Sequence, residues 1–495
     1  MARKITFLDK TFWITESEDN PKHVACLQII KKPANASASY VSDLYHEAKQ
    51  HNEASEPFNC RVVSFLRFPL MLKTVDKVDM DYHIKMHHVD DVTDREALHE
   101  FIARLHEEIL DRDKPLWQFH LISDDKSDTF AIYAKIHHIY GDGATLVRWF
   151  QAGYLTEPSD KLTPLWYSKR KRRERPKPNI FKQIVRGAWE FINVVKDLLI
   201  VLIRIFMKIL RINRHYMPVP FTGTRTVLTG QVKKGRCVST MDIDFNRVKA
   251  LGRRARASAN EILLTAFDIG VHRFLQDYGQ TFEKALFTNM PINLRKPGDH
   301  TGGNKIAIVP VELAHDEHDP YLRMRQIIAN HRIVKYAAMH ARPGAFSYYT
   351  ILIQSFALLF EVFRLSDWVK PIANILISNV PGPEETRYLK DAELLAVYPI
   401  STMTPGGGVN ITLMSYDGTA NVGIVCTNRK VESLEPLAEY FAEAFEMLER
   451  SIDDPTLNID DIGEHNPEVP QSIITEEMTG DEHHDIARLS YANTD

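Results

Sequence analysis

Two hydrophobic periods alternate along this chain. Apolar runs over Val24–Ile30 and Phe130–Ile136 predict strands, and apolar residues spaced three and four apart over Asp94–Leu110 predict a helix. The same interleaving returns after Pro218, with a helix predicted over Ala259–Gln276 and strands over Ala285–Pro291, Lys305–Leu313 and Val409–Tyr416. Strands interleaved with helices predict an α/β fold. At 495 residues the chain exceeds what one ordinary core fills, so the patterned stretches, residues 1–167 and 218–459, are read as two domains. Residues 460–495 are acidic and polar with few large apolar side chains, which predicts disorder.

The intervening stretch, residues 168–217, opens with the basic, proline-broken run SKRKRRERPKP. Wound as a helix at about 100° per residue, residues 181–214 gather Lys182, Arg186, Asn193, Lys196, Asp197, Arg204, Lys208 and Arg211 on one stripe. Trp189, Val195, Leu199, Leu202, Ile203, Phe206 and Leu210 take the other faces. Lys169–Arg214 holds fourteen Lys or Arg against three acids, a net +11, which leaves −15 for the rest of a chain whose net charge is −4. Such asymmetry points to an anionic partner surface. A wide apolar face with a cationic stripe suits an interfacial helix, and it equally suits a crossover helix packed between domains. A transmembrane span is excluded, because the longest uncharged run, Leu198–Ile203, is far too short. Nucleic acid ranks lower and is not expected as a partner, since no base-stacking aromatics interleave the basic run.

Apolar and charged fractions of 44% and 25% are those of a soluble globular protein. Cys26, Cys60, Cys237 and Cys426 form no metal or disulfide spacing and fit a reducing cytosol. The N-terminal MARKITFLDKTFW lacks the apolar core of a secretion signal.

The candidate chemistry lies just after the second predicted strand, in AKIHHIYGDGATL. A histidine at a strand mouth suits general-base work, because its ordinary pKa lies near neutrality. His137 and His138, as strand neighbours, point to opposite faces and cannot share a metal ion without distortion, and no metal is expected. A capped loop with incidental histidines is the plain alternative. A second pair, His87-His88, lacks a following glycine, continues an alternating strand from His83, and reads as structural or exposed.

His137-His138 with Asp142-Gly143 form the pattern HHxxxDG, which resembles acyltransferases that use coenzyme A thioesters or related carriers. With the other motifs, in order, the chain resembles the bifunctional wax ester synthase/diacylglycerol acyltransferase family over about Leu8–Glu449. These motifs are Leu8-Asp9 with Phe12, Glu16 and Asn20–Val24; Pro57–Asn59; Asp79–Ile84; and Lys114–Trp117 before the histidines. Asn260–Leu264, Met290–Arg295, Gly303-Asn304, Ser378–Pro383 and Gly407–Gly418 follow in the second half. Ile139-Tyr140-Gly141 stands where many members carry a small residue and two aliphatics, and Glu261 stands where they carry aspartate.

The resemblance implies two chloramphenicol-acetyltransferase-like α/β sandwich domains joined by a helical linker. It implies transfer of a long-chain acyl group from acyl-CoA to a fatty alcohol or diacylglycerol, giving wax esters or triacylglycerols. Acyl-CoA is then a co-substrate and no cofactor is required. It gives His138 as general base, with His137 supporting, Asp142 positioning and Gly143 shaping the motif turn. Arg295 is a candidate partner for Asp142. Asn260, at the predicted helix start, is expected as an N-cap and as an amide near the substrate; Trp117 is expected in the core, and it and Tyr140 are further candidate substrate contacts. Asn379, Pro381 and Gly382 are expected to shape a loop. The expected location is the cytoplasm, peripherally on the inner face of the cell membrane or on lipid inclusions. Rival readings are a condensation-like enzyme acting on carrier-bound or polyketide substrates and a non-catalytic lipid-surface binder.

Overall fold

The computed structural model describes residues 2–457 except 6, 142, 168–195, 197–198, 200–201, 204–205, 208, 211, 213–220, 294–305, 341–342 and 428–429. In the first half, β1 (Ala2–Lys4) precedes the helix Phe7–Thr15, and β2 (His23–Lys31) precedes the helix Tyr40–Gln50. A hairpin of β3 (Cys60–Phe65) and β4 (Phe68–Thr74) leads to β5 (Ile84–His88), the helix Arg95–Glu107, β6 (Trp117–Ser123), β7 (Thr129–His137) and the helix Gly143–Gly153. The second half runs β8 (Arg236–Asp244), helices Phe245–Arg254 and Ala259–Asp277, β9 (Phe287–Asn293), β10 (Ile306–Glu312), and helices Pro320–His340 and Pro343–Val362. It closes with β11 (Ile375–Pro381), β12 (Tyr388–Leu389), β13 (Ala392–Ile400), β14 (Val409–Tyr416), β15 (Thr419–Thr427) and the helix Glu435–Ile452.

Two six-stranded sheets result, ordered β12-β13-β2-β7-β6-β5 and β10-β9-β11-β14-β15-β8. They share one plan. In the first, β2 pairs antiparallel to β7, β7 antiparallel to β6, and β6 parallel to β5. In the second, β8, β15, β14 and β11 repeat that order and those directions. The repeat is topological and has no short sequence period. At the ladder position where the first sheet pairs His23 with His137, the second pairs Arg236 with Thr427, so only the first carries the histidines.

The sheets do not divide as chain order would divide them. β12 and β13 leave the second half and extend the first sheet, with Ala392–Ile400 laid along His23–Lys31. A core of Leu27, Leu98, Ile102 and Tyr133 from the first half, Val238 and Val425 from the second, and Tyr398 and Ile400 from the exchanged strand joins the two. His99 adds polar contacts across the seam, with Nδ1 2.8 Å from Glu435 and Nε2 2.9 Å from Thr240 Oγ1.

The helix predicted over Asp94–Leu110 spans Arg95–Glu107, and the Asp94 carboxylate caps it by accepting the Ala97 N–H at 3.1 Å. His83 closes a helical turn over Met80–His83 and does not start the following strand. His87 is half-buried with Nε2 3.0 Å from His120 Nδ1, and His88 is exposed. Most of residues 168–217 and all of 460–495 lie outside the described residues, while 196, 199, 202, 203, 206, 207 and 209 are helical.

Candidate active site

The site forms where the first sheet meets the second. β7 ends at His137, and the ladder with β2 runs one residue further, because the His138 N–H donates to the Lys22 carbonyl at 2.9 Å. Strand alternation then separates the two rings. His137 is fully enclosed, whereas His138 is half-buried and reaches the surface.

His137 is an anchor. Its Nδ1 accepts the Ile139 N–H at 3.0 Å, so the ring proton sits on Nε2, which faces Glu16 Oε1 at 3.3 Å. Glu16 follows the helix Phe7–Thr15 and is itself buried. It accepts the Lys22 N–H on Oε1 and the Arg112 Nε and Nη2 on Oε2, all at 3.1–3.2 Å. Burial pushes the Glu16 carboxyl up, but His137, Arg112 and the Lys22 N–H outweigh it and hold the pKa at about 2. Arg112 also lies 4.3 Å over the Trp13 ring and donates to the Trp13 carbonyl. The first helix is thereby locked to the end of β7.

That helix delivers Phe12, whose ring stacks on His138 with centroids 4.0 Å apart and planes 8° from parallel. The stack fixes the imidazole plane without using a ring nitrogen. Behind His138, the buried Lys22 ammonium donates to the Met403 carbonyl at 3.3 Å. Burial lowers the Lys22 pKa to about 8 despite the attraction of Glu361. Glu361 accepts from Asn20 and from the Gly406 N–H. The strand end that carries His138 is tied to the second half through these contacts.

The motif's remaining positions divide between the described and the undescribed residues. Asp142 and Arg295 lie outside the described residues. Gly143 stands where the motif turn passes into a helix. It begins the helix Gly143–Gly153, and a Cβ there would meet Val380 of β11 at an ordinary 3.6 Å. The glycine that geometry demands is Gly141, where a Cβ would fall 2.8 Å from Thr145 Cγ2. Tyr140 is not a substrate contact, because its ring is buried and its hydroxyl accepts the Leu116 N–H while donating to the Cys60 carbonyl. Trp117 is likewise core, wholly enclosed, with Nε1 donating to the Phe58 carbonyl at 2.8 Å.

In the second half, Ser258 and not Asn260 caps the helix Ala259–Asp277. A capping box pairs the Ser258 hydroxyl with the Glu261 N–H and the Glu261 carboxylate with the Ser258 N–H. Asn260 instead sits in the first turn, exposed, and its Oδ1 accepts from Asn379 Nδ2 at 2.7 Å. Glu261 has longer reach than an aspartate and touches His331 and Arg332. Against the effect of burial, those partners and the Ser258 N–H hold its carboxyl well below the usual range. Pro381 ends β11, and Gly382 passes so close to β14 that a Cβ would lie 2.3 Å from the Ser415 carbonyl oxygen. Asn379 therefore ties Asn260 within the second half, and Val380 beside it brings that half to the start of the motif helix.

The arrangement places one half-open histidine, fixed by stacking and by its backbone, at the junction of two topologically matched halves. Residues 5–263 match the wax ester synthase/diacylglycerol acyltransferase catalytic domain, and residues 302–449 match the corresponding C-terminal domain. The chain belongs to the wax ester synthase/diacylglycerol acyltransferase family. It is an acyltransferase. A relative named as a diacylglycerol O-acyltransferase in Mycobacterium tuberculosis is 27% identical over 488 residues, covering 90% of this chain and 97% of its own. Another so named in Mycobacterium bovis is 25% identical over 463 residues, covering 90% and 96%. Among solved structures, the wax ester synthase/diacylglycerol acyltransferase from Marinobacter aquaeolei superposes with a TM-score of 0.70 at 22% identity, over 91% of this chain and 99% of that one. The first condensation domain of the calcium-dependent antibiotic synthetase shares the fold at a TM-score of 0.57 and 13% identity, over 93% and 98%.

Phe12, Glu16 and Lys22 all lie in the N-terminal block, and nothing in that block alone marks the role of each. Glu16 is recognisable as a buried carboxylate only once Arg112, far along the chain, is placed beside it.

Proposed function

We propose that the protein joins a long-chain acyl group from acyl-CoA to the hydroxyl of a fatty alcohol or diacylglycerol, with His138 as general base. The observation that carries this reading is that His138 is partly exposed at the strand mouth, whereas its neighbour His137 is wholly enclosed. The acceptor hydroxyl gives its proton to the His138 imidazole as its oxygen bonds to the thioester carbonyl carbon. The carbon–sulfur bond then breaks, and the imidazolium returns the proton to the departing thiolate. Both protons and electron pairs balance without a covalent enzyme intermediate or a cofactor. The helix Gly143–Gly153 starts at the motif's last residue, and the positive end of its dipole would favour a developing oxyanion beside it.

The acceptor reaches the site from a lipid surface in this reading. Leu199, Leu202, Ile203, Phe206, Ile209 and Leu210 are all exposed, which favours a surface contact for this part of the segment. Exposed apolar side chains on a helix with a cationic stripe support lipid contact. No helix among the described residues is long and apolar enough to cross a membrane. Purified protein given palmitoyl-CoA with hexadecanol or with diolein should release CoA only when an acceptor is present. Failure with every long-chain acceptor would sink the proposal.

A further inference from the structure

The hairpin of β3 and β4 carries a feature that the acyl-transfer site does not use. Its turn is Leu66-Arg67, and both residues adopt left-handed backbone, with φ of 48° and 65°. Two-residue turns of this hand favour Asn-Gly, because a bulky side chain at positive φ crowds its own backbone. Leu-Arg is a locally unfavourable choice, and packing does not compensate for it. Leu66 is 86% exposed and Phe65 67%, with Phe68 and Leu70 exposed as well.

Charge indicates what meets these side chains. Residues 60–74 contain Arg61, Arg67 and Lys73 and no acid, and Lys10 of the helix Phe7–Thr15 lies 4.8 Å over the Phe68 ring. A projecting apolar tip with Arg67 in its turn and Lys10 over Phe68 complements the interfacial layer of an anionic bilayer. The turn is also connected to the site. Trp13 Nε1 donates to the Arg67 carbonyl at 3.1 Å, and the same helix lays Phe12 on His138.

We propose that the Phe65–Phe68 tip inserts into the interfacial layer of an anionic lipid surface, a contact separate from residues 196–212. The inserted tip holds the helix that covers His138 against the surface supplying the acceptor. This rests on the reading that the acceptor is lipid-borne.

The test is co-sedimentation with vesicles of phosphatidylcholine and phosphatidylglycerol in equal parts. Two variants are compared with the parent, Phe65→Ser with Leu66→Ser and Leu66→Asn with Arg67→Gly. Losing buried apolar side chains should weaken vesicle partitioning about tenfold or more in both. The Asn-Gly variant should melt no lower than the parent, since its residues suit the turn, and this separates lost lipid contact from lost folding. If both variants bind like the parent while Arg204→Glu with Lys208→Glu binds less, the helical segment alone meets lipid and the hairpin proposal falls. A parent that turns over a soluble alcohol but never sediments with vesicles overturns this proposal and the lipid-surface reading, leaving acyl transfer intact. A change in sedimentation mass with unchanged vesicle binding would make the tip a protein interface, which also overturns it.

Discussion

Replacing Glu16 by glutamine removes the charge at the centre of the network that seats both histidines. The carboxylate accepts from Arg112 twice and from the Lys22 N–H, and it faces His137 Nε2 at 3.3 Å. One amide oxygen cannot serve all of these donors, and the amide NH2 points at groups that also donate. The fall of the Glu16 pKa from 4.5 to about 2 corresponds to about 3 kcal/mol of folding stability, at 1.36 kcal/mol per pH unit. Breaking a buried ion pair costs about 3–5 kcal/mol, in agreement. Because the folded-state pKa is depressed, this contribution is complete above about pH 4.5 and is lost as pH falls toward about 2. Urea unfolding of parent and Glu16→Gln should therefore differ by about 3 kcal/mol at pH 7, and the gap should narrow steadily below pH 5. Activity should fall as well, since Lys22, whose carbonyl holds the His138 N–H, loses its own anchor. A gap of the same size at pH 7 and pH 3 would mean that glutamine merely packs badly, and the electrostatic argument would be wrong.

Further outcomes follow from particular contacts. Gly382→Ala should lose about 2 kcal/mol or more, because the new methyl meets the Ser415 carbonyl, which cannot move without shifting β14; a thermal melt equal to the parent's would refute this. Asn379→Ala removes one exposed neutral hydrogen bond and should cost at most about 1 kcal/mol, with little change in kcat/KM. A large kcat/KM loss at unchanged melting temperature would instead put the Asn260–Asn379 pair in contact with substrate. Arg204→Glu with Lys208→Glu reverses two charges of the basic stripe and should weaken binding to anionic vesicles. The loss should amount to about 1 kcal/mol per basic residue removed and shrink at high salt. Loss of thermal stability with full vesicle binding would make the segment an inter-domain packing element.

Much of the fold is legible in the residue pattern, since strand and helix periods are local. The strand read over Val409–Tyr416 has those bounds in the structure, and that read over Phe130–Ile136 spans Thr129–His137. What escapes such reading is pairing. Nothing local in Ala392–Ile400 says that it leaves its own half to lie beside β2. The cap of the helix Ala259–Asp277 is legible as Ser258 followed three residues later by Glu261, a pairing that outcompetes Asn260 two positions after Ser258. Trp117 lies in the core, as a tryptophan on a buried strand is expected to, whereas the burial of Tyr140 depends on a turn geometry that the sequence pattern does not carry. Glu16 and Arg112 acquire a role only when the first helix docks against the end of β7.

The central claim, that His138 takes the acceptor's proton in a direct attack on the thioester, is tested by His138→Ala in an acceptor-dependent CoA-release assay. The predicted result is a rate lower by about 10²–10⁴, with an unchanged melting temperature, while the parent releases no CoA before acceptor is added. A variant that keeps most of the parent rate, or a parent that releases one equivalent of CoA and retains the acyl group covalently without acceptor, would contradict it.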